Sequence, residues 1–310
     1  MQTPPPGVNR SQESICVRNA NTATLDGLRP AADVVRMANV VSEEATLQAD
    51  DPADGPADGE ERGTFVASLA RGLSIMRAFT AQQPRLTLAE LARLVGLPRA
   101  SVRRSLLTLQ ALGYVESDGR QFSLSPQVLA LANAYLSSSL LPRVAQPFVE
   151  RVSDSLGESC SLSIQHGRDV IYVARSSRRR VASLHRDVGT HLPAHCTSMG
   201  RVLLAGLPEV ELDAFLRAGE LHGFTPFTVT DPGRLRDIVG RVRRDGYCIV
   251  DQELEIGLRS VAVPVLNAAG RLVAAMNVGT QAGATPSAEL RARHLPALRA
   301  AAADLRPLLL

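Results

Sequence analysis

The stretch from Leu86 to Phe122, LTLAELARLVGLPRASVRRSLLTLQALGYVESDGRQF, limits what the rest of this chain can be. Thr87 can cap a helix, and Glu90 three residues later can close a capping box. Leu88, Leu91, Ala92 and Val95 then recur at helical spacing until Gly96 stops the helix. Pro98 stands at or beside the start of a second helix, where its missing N–H costs little. The apolar face of that helix is Val102, Leu106 and Leu109, spaced four and three apart. Its other face carries Arg99, Ala100, Ser101, Arg103 and Arg104. After Gly113, the runs Tyr114–Glu116 and Gln121–Leu124 flank Asp118-Gly119, a strong hairpin signal. Two helices and a hairpin in this order predict a winged helix, a module that lays its second helix in the major groove of DNA.

Charge is distributed as that module requires. The net charge of the 310-residue chain is only +3, but residues 64–124 carry +5 and residues 1–63 carry −6. The positive segment is the winged-helix segment, as phosphate attraction demands. With 4% aromatic residues there is no stacking platform for single-stranded RNA. Residues 1–63, acidic and rich in Asp, Pro, Ala and Gly around 49–59, are expected to be a disordered tail. Met37 offers an alternative start within it. Cys16, Cys160, Cys196 and Cys248 are far apart with no CxxC pair, so neither a zinc ribbon nor a disulfide framework is indicated. No signal pattern and no apolar run of spanning length is present, which places the protein in the cytoplasm, away from membranes.

The remaining pattern predicts an α+β architecture. Phe65–Phe79 predicts a helix with Leu69, Leu73, Met76 and Phe79 turned to the core behind the reading helix. Residues 125–140 hold a linker helix running to Leu136, with a break at serines 137–139 and Pro142. Residues 141–310 form a second domain that opens with a helix from Val144 to Leu156. Strands follow at Ser159–Gln165 and Val170–Arg175, with two more flanking Arg186, and the RSSRRR run at 175–180 forms an exposed turn. Helices at Thr197–Ala205, Glu209–Arg217 and Arg234–Asp245 precede strands at Tyr247–Val250, Leu258–Leu266 and Leu272–Thr280, and a helix over Ser287–Leu305 closes the chain. Strands joined by hairpins give a mostly antiparallel sheet, able to carry a ligand site on one face.

From Phe65 to the C-terminus the chain resembles the IclR family of bacterial transcriptional regulators. The resemblance rests on SLARGLSIMRAF, the winged-helix stretch, LPAHCTSMGRVLLA at 192–205 and DQELEIGLRSVAVPV at 251–265, met in order. Within the family it resembles the subgroup that controls catabolism of protocatechuate, 4-hydroxybenzoate and the β-ketoadipate pathway. This implies an N-terminal winged helix-turn-helix, a linker helix and a C-terminal GAF-like effector-binding domain. It also implies a homodimer or tetramer on a roughly palindromic DNA operator, a small aromatic or dicarboxylic acid as effector, and contact with RNA polymerase if the protein activates. The acidic tail departs from the family pattern. A repressor of unrelated carbon metabolism in the same family remains the alternative.

The candidate DNA-contacting residues are Thr87, Arg99, Ala100, Ser101, Arg103, Arg104 and Arg120. Arginine can pair bidentately with guanine, and the competing reading is a solvated arginine face. Which of them read bases and which hold phosphates stays open, and capping is the safer role for Thr87. By resemblance the effector site is bordered by His195, Thr197, Ser198 and Met199, and by Asp251, Arg259, Ser260, Asn277 and Gly279. Thr197 or Ser198 can cap the helix that follows, whose N-terminus would attract a carboxylate. The competing reading there is a plain cap with a tight contact at Gly200. Arg259 can pair with a carboxylate ligand or with Asp251 or Glu253. His191, His195 and Cys196 have a spacing that suggests zinc, but Pro193 between them opposes the helix it would need, so no metal and no cofactor is expected. An enzyme domain fused to a DNA-binding module would need a catalytic motif, and no GxSxG, Walker or HExxH pattern is present.

Overall fold

A computed structural model describes residues 65–177 and 186–310. The acidic tail, the strand expected before Arg186 and Arg178–Arg180 of the arginine-rich run lie outside the described residues.

The first domain is built from α1 (Ala67–Arg77), β1 (Leu86–Thr87), α2 (Leu88–Val95), α3 (Arg99–Ala111), β2 (Val115–Ser117) and β3 (Gln121–Leu124). The capping box forms: the Thr87 N–H donates to Glu90 Oε2 at 2.8 Å, and the Glu90 N–H donates to Thr87 Oγ1 at 3.3 Å. Gly96 ends α2 in the left-handed region at φ +67°, which a side chain would strain. Val102, Leu106 and Leu109 are buried with Ile75, Leu91 and Val115 in one core. The hairpin closes through Asp118, whose Oδ1 accepts the Arg120 and Gln121 N–H groups. Strand β1, only two residues long, pairs with β3 and ties the capping turn to the wing. It was not visible in the sequence because two residues carry no periodicity.

Helix α1 corrects an expectation. Leu69 is 63% and Leu73 49% exposed, and the fully buried residue is Ile75. Only the last turn of α1 reaches the core, joined by Met76 and Phe79, so the apolar stripe of its first two turns faces outward. Period identifies a helix, but packing selects which face is covered.

The linker helix α4 (Val128–Ser138) breaks at the single extended residue Ser139, and α5 (Leu140–Leu156) starts at once. Pro142 therefore does not mark the break. It lies in the first turn of α5, where its missing N–H has no helical partner to lose.

The second domain is a six-stranded antiparallel sheet in the order β6-β5-β4-β9-β8-β7. Its strands are β4 (Ser159–His166), β5 (Asp169–Ser176), β6 (His191–Pro193), β7 (Cys248–Asp251), β8 (Leu258–Leu266) and β9 (Leu272–Gln281). On one face α5 and α10 (Leu295–Leu305) cover Cys160, Leu162, Val261, Val263, Met276 and Val278. On the other lie α6 (Ser198–Ala205), α7 (Glu209–Arg217) and α8 (Pro232–Asp245). The closing helix is not continuous: α9 (Ser287–Glu289) passes through a π-turn at Leu290–His294 before α10. Pro296 cannot donate to the carbonyl of Ala292, so the ladder widens just before it.

Candidate functional site

On α3, the residues away from the core are presented together. Arg99, Ala100, Arg103 and Arg104 are exposed, whereas Ser101 is half-buried. Arg120 is exposed on the wing immediately after Gly119. Thr87 Oγ1 is engaged with Glu90, both accepting its N–H and donating to its Oε2 at 2.7 Å. Its first duty is thus the α2 cap.

In the second domain, strand alternation separates two kinds of side chain. The face of the sheet away from α5 and α10 carries Ser159, Ser161 and Ser163 on β4, Ala275, Asn277 and Gly279 on β9, and Ser260 and Ala262 on β8. Register sets Ser161 between Arg175 and Asn277, and Gly279 between Ser159 and Ser260. The opposite face of the same strands holds large apolar residues. Small side chains on one face make a low polar floor, and large ones on the other make a packed core.

Two guanidiniums stand at one side of this floor. Arg175 Nη1 donates to Ser161 Oγ at 2.7 Å, and its guanidinium lies 5.5 Å from the Tyr172 ring. Arg186, 8% exposed, donates to Glu255 at 2.6 Å. Burial raises the Tyr172 phenol above its ordinary range, while the Arg186 and Arg175 charges and the Ser161 hydroxyl pull it back. At the other side, Ser198 on the first turn of α6 meets Ser260 with their hydroxyls 2.8 Å apart. Among the described residues six side-chain atoms are buried without a partner: Arg175 Nε, Arg186 Nε, Ser163 Oγ and Asn277 Oδ1 about this floor, and Asp251 Oδ1 and Arg259 Nε on the opposite face. A buried polar atom left unpaired costs about 1–3 kcal/mol, and four of the six gather about this one floor. From β5 to β8 is three strand spacings, about 14 Å between backbones.

The other expected effector residues go elsewhere. Thr197 is the α6 N-cap, its hydroxyl accepting the Gly200 N–H at 3.1 Å and donating to the Pro193 carbonyl. Met199 is buried in the apolar core under α6. The His195 ring is hydrogen-bonded to the His222 carbonyl at 2.9 Å and tilted against Phe224. Asp251 and Arg259 pair at 2.7 Å on the opposite face of the sheet, where Arg259 also donates to the carbonyls of Ala282 and Thr285. Glu253, the other partner considered for Arg259, instead binds Arg201. The side chains of His191, His195 and Cys196 do not converge: His191 lies 3.6 Å from Asp169, and the Cys196 thiol points to the Pro193 carbonyl. Burial raises the thiols of Cys160 and Cys196 strongly and that of Cys248 to about 11, so all three stay protonated.

Sequence reasoning missed Arg175 and Arg186. Arg175 stands at the end of the strand expected over Val170–Arg175, and the structure keeps it in that strand rather than in the exposed turn also expected of the RSSRRR run. The alternation of SCSLS at 159–163, small-polar against apolar, is the signal that marked a polar floor.

A winged helix joined by a helical linker to an antiparallel-sheet domain with a buried polar floor defines a one-component regulator, DNA-binding at one end and ligand-sensing at the other. Residues 68–119 match the IclR helix-turn-helix domain, and residues 133–306 match the bacterial transcriptional regulator IclR C-terminal domain. The chain belongs to the IclR family, and it binds DNA through its helix-turn-helix domain. It is 47% identical over 242 residues to the Pca regulon regulatory protein of Pseudomonas putida, covering 78% of this chain and 83% of that protein. It is 37% identical over 250 residues to the p-hydroxybenzoate hydroxylase transcriptional activator of Acinetobacter baylyi, covering 79% and 92%. The crystal structure of an IclR homolog complexed with 4-hydroxybenzoate from Microbacterium hydrocarbonoxydans aligns with TM-score 0.66 at 25% identity, over 77% of this chain and 97% of that one. The family is one of transcriptional regulators, not enzymes. No helix among the described residues is long and apolar enough to cross a membrane.

Proposed function

We propose that this protein controls genes for aromatic acid catabolism and senses a hydroxylated aromatic acid on the polar floor of its second domain. The carboxylate sits at the Arg175 and Arg186 guanidiniums, and the ring hydroxyl meets Asn277 and the Ser198–Ser260 pair. The observation that carries this reading is the set of buried, unpartnered atoms on that floor, led by Arg175 Nε and Asn277 Oδ1. Cation at one side and neutral donors and acceptors at the other match an anionic head with a neutral hydrogen-bonding tail. The 4-hydroxybenzoate complex of a homolog supports this ligand class, and the two relatives named above support the class of genes controlled.

The working form is a homo-oligomer on a two-fold operator. Phe65, Val66, Leu69 and Leu73 of the α1 segment and Leu129, Leu131 and Tyr135 of α4 are all exposed. Apolar faces of this extent on both elements that flank the reading unit are suited to a second copy. Ligand then acts by binding two subunit arrangements with different affinity, which resets the spacing of the two α3 helices.

A thermal-shift series with protocatechuate, 4-hydroxybenzoate and β-ketoadipate tests the assignment. A ligand at 100 times its Kd adds about 2.7 kcal/mol to the bound fold. The expected result is a shift with at least one aromatic acid that Arg175→Met abolishes. No shift with any of the three removes the ligand class, and an undiminished shift in Arg175→Met removes the placement.

A further inference from the structure

The outward face of α3 carries, one turn beyond its arginines, a leucine that the protein itself leaves uncovered. Each helical residue advances about 100°, so the positions opposite Val102, Leu106 and Leu109 are Ala100, Arg104, Leu107 and Ala111. All four are exposed, and Leu107 is 50% exposed. Leu107 stands one turn beyond Arg103 and Arg104 and directly above Ala100, about 10 Å further along the helix axis. The core of this domain is already complete without it, from Ile75 to Val115. A large aliphatic group one turn beyond the arginines, on the same exposed face, is positioned to enter the groove that they enter.

On the major-groove floor of DNA the apolar feature is the C5-methyl group of thymine. We infer that Leu107 reads a thymine methyl and is a specificity-determining residue, while Arg103 and Arg104 beside it engage guanine edges or phosphates. Ala100, with a single methyl, lets the first turns of α3 approach the base edges closely enough for Leu107 to reach. The inference rests on α3 being the reading helix, and it assigns a base type to one residue on it.

The test uses the full chain and the duplex it selects from a randomised pool. Each thymine of that duplex is replaced singly by deoxyuridine, which removes the methyl and leaves base pairing intact. The wild-type protein is expected to lose about fourfold in affinity at one thymine per half-site, the equivalent of one buried methyl group. Leu107→Ala is expected to bind the thymine and deoxyuridine duplexes equally there, and Leu107→Met to keep the preference. Persistence of the wild-type ratio in Leu107→Ala at every thymine overturns the inference. So does a change of oligomeric state in Leu107→Ala, by sedimentation, with base preference intact, because Leu107 would then be a contact between copies. Failure of the wild type to select any site would overturn the reading helix itself, and Leu107 with it.

Discussion

Arg201 and Glu253, 52 residues apart, meet in a two-pronged ion pair with both guanidinium Nη atoms 2.6 Å from carboxylate oxygens. Arg201 is 2% and Glu253 8% exposed, and each makes one further hydrogen bond. Arg201 Nε donates to the His195 carbonyl at 2.8 Å, and Glu253 Oε2 also accepts the Val229 N–H at 2.9 Å. The pair therefore fastens α6, whose first residue Ser198 faces the polar floor, to the segment after β7. It fixes the position of α6 in the sensor domain. Removing one partner leaves a buried charge, so Arg201→Met and Glu253→Leu are each expected to cost about 3–5 kcal/mol. Chemical denaturation checks this, and the double variant Arg201→Met with Glu253→Leu should recover much of the loss. A loss in the double variant equal to the sum of the singles would show the two sites to be independent.

Gly200 marks the closest approach of α6 to the turn before it. A Cβ there would lie 2.1 Å from the Ala194 carbonyl oxygen and 2.3 Å from its Cα. Both are backbone atoms and cannot swing away. Gly200→Ala is expected to destabilise the sensor domain by about 3 kcal/mol. At Gly206 the nearest atom is Cδ2 of Leu272, a side chain that can change rotamer, so Gly206→Ala should cost less. Thermal denaturation of the two variants side by side gives the order, and the reverse order would contradict this account.

The capping box links stability of the reading unit to strand β1. Thr87→Ala removes the hydroxyl that accepts the Glu90 N–H and is expected to cost about 1 kcal/mol. Thr87→Ser, which keeps the oxygen, should restore most of it. Melting of the DNA-binding domain followed by circular dichroism distinguishes the two variants. Operator affinity should fall in Thr87→Ala only as far as folding does.

Arg103 and Arg104 carry the charge of the α3 face. Arg103→Ala is expected to abolish specific binding to the selected duplex while leaving weak, salt-sensitive binding to random DNA. If Arg103 instead holds a phosphate, affinity drops evenly across sequences and the salt slope falls by about one. Titrations at several salt concentrations separate these outcomes. Unchanged affinity at moderate salt would remove Arg103 from the interface.

His195 connects the sensor domain to pH. Burial lowers its proton affinity from the ordinary 6.5, the Arg201 and Arg168 charges add to this, and the His222 carbonyl opposes it. The unfolded chain then binds a proton at higher pH than the folded one. Stability is expected to fall as pH drops below about 6.5, and His195→Gln should flatten that part of the profile. Midpoints measured between pH 7.5 and 5.5 test the sign. Equal slopes in both proteins would assign the pH dependence to other groups.

The winged helix was legible because every one of its signals is local. The Thr87–Glu90 box, Gly96, Pro98 and Asp118-Gly119 each act within four residues, and the structure repeats them at the same positions. The sheet domain was legible as strands and helices, and its turn after His166 and hairpin at Asn267 fell where expected. The outward stripe of α1 and the widened turn before Pro296 were not, since each depends on what packs or fails to bond nearby.

What the sequence by itself determined was the class of the longer elements, the two-domain division and the family, because periodicity, caps and motif order are properties of neighbouring residues. Only the tertiary structure decided which side chains share a face. Ser198, Ser260 and Asn277, drawn from α6, β8 and β9, come onto one floor with Ser161 and Arg175. Asp251 and Arg259, from the same motif as Ser260, turn to the other side and bind each other. One residue of shift along a strand reverses the face. The alternation along β4 shows that its two faces differ, but which of them meets α6 is set by packing between segments 52 or more residues apart.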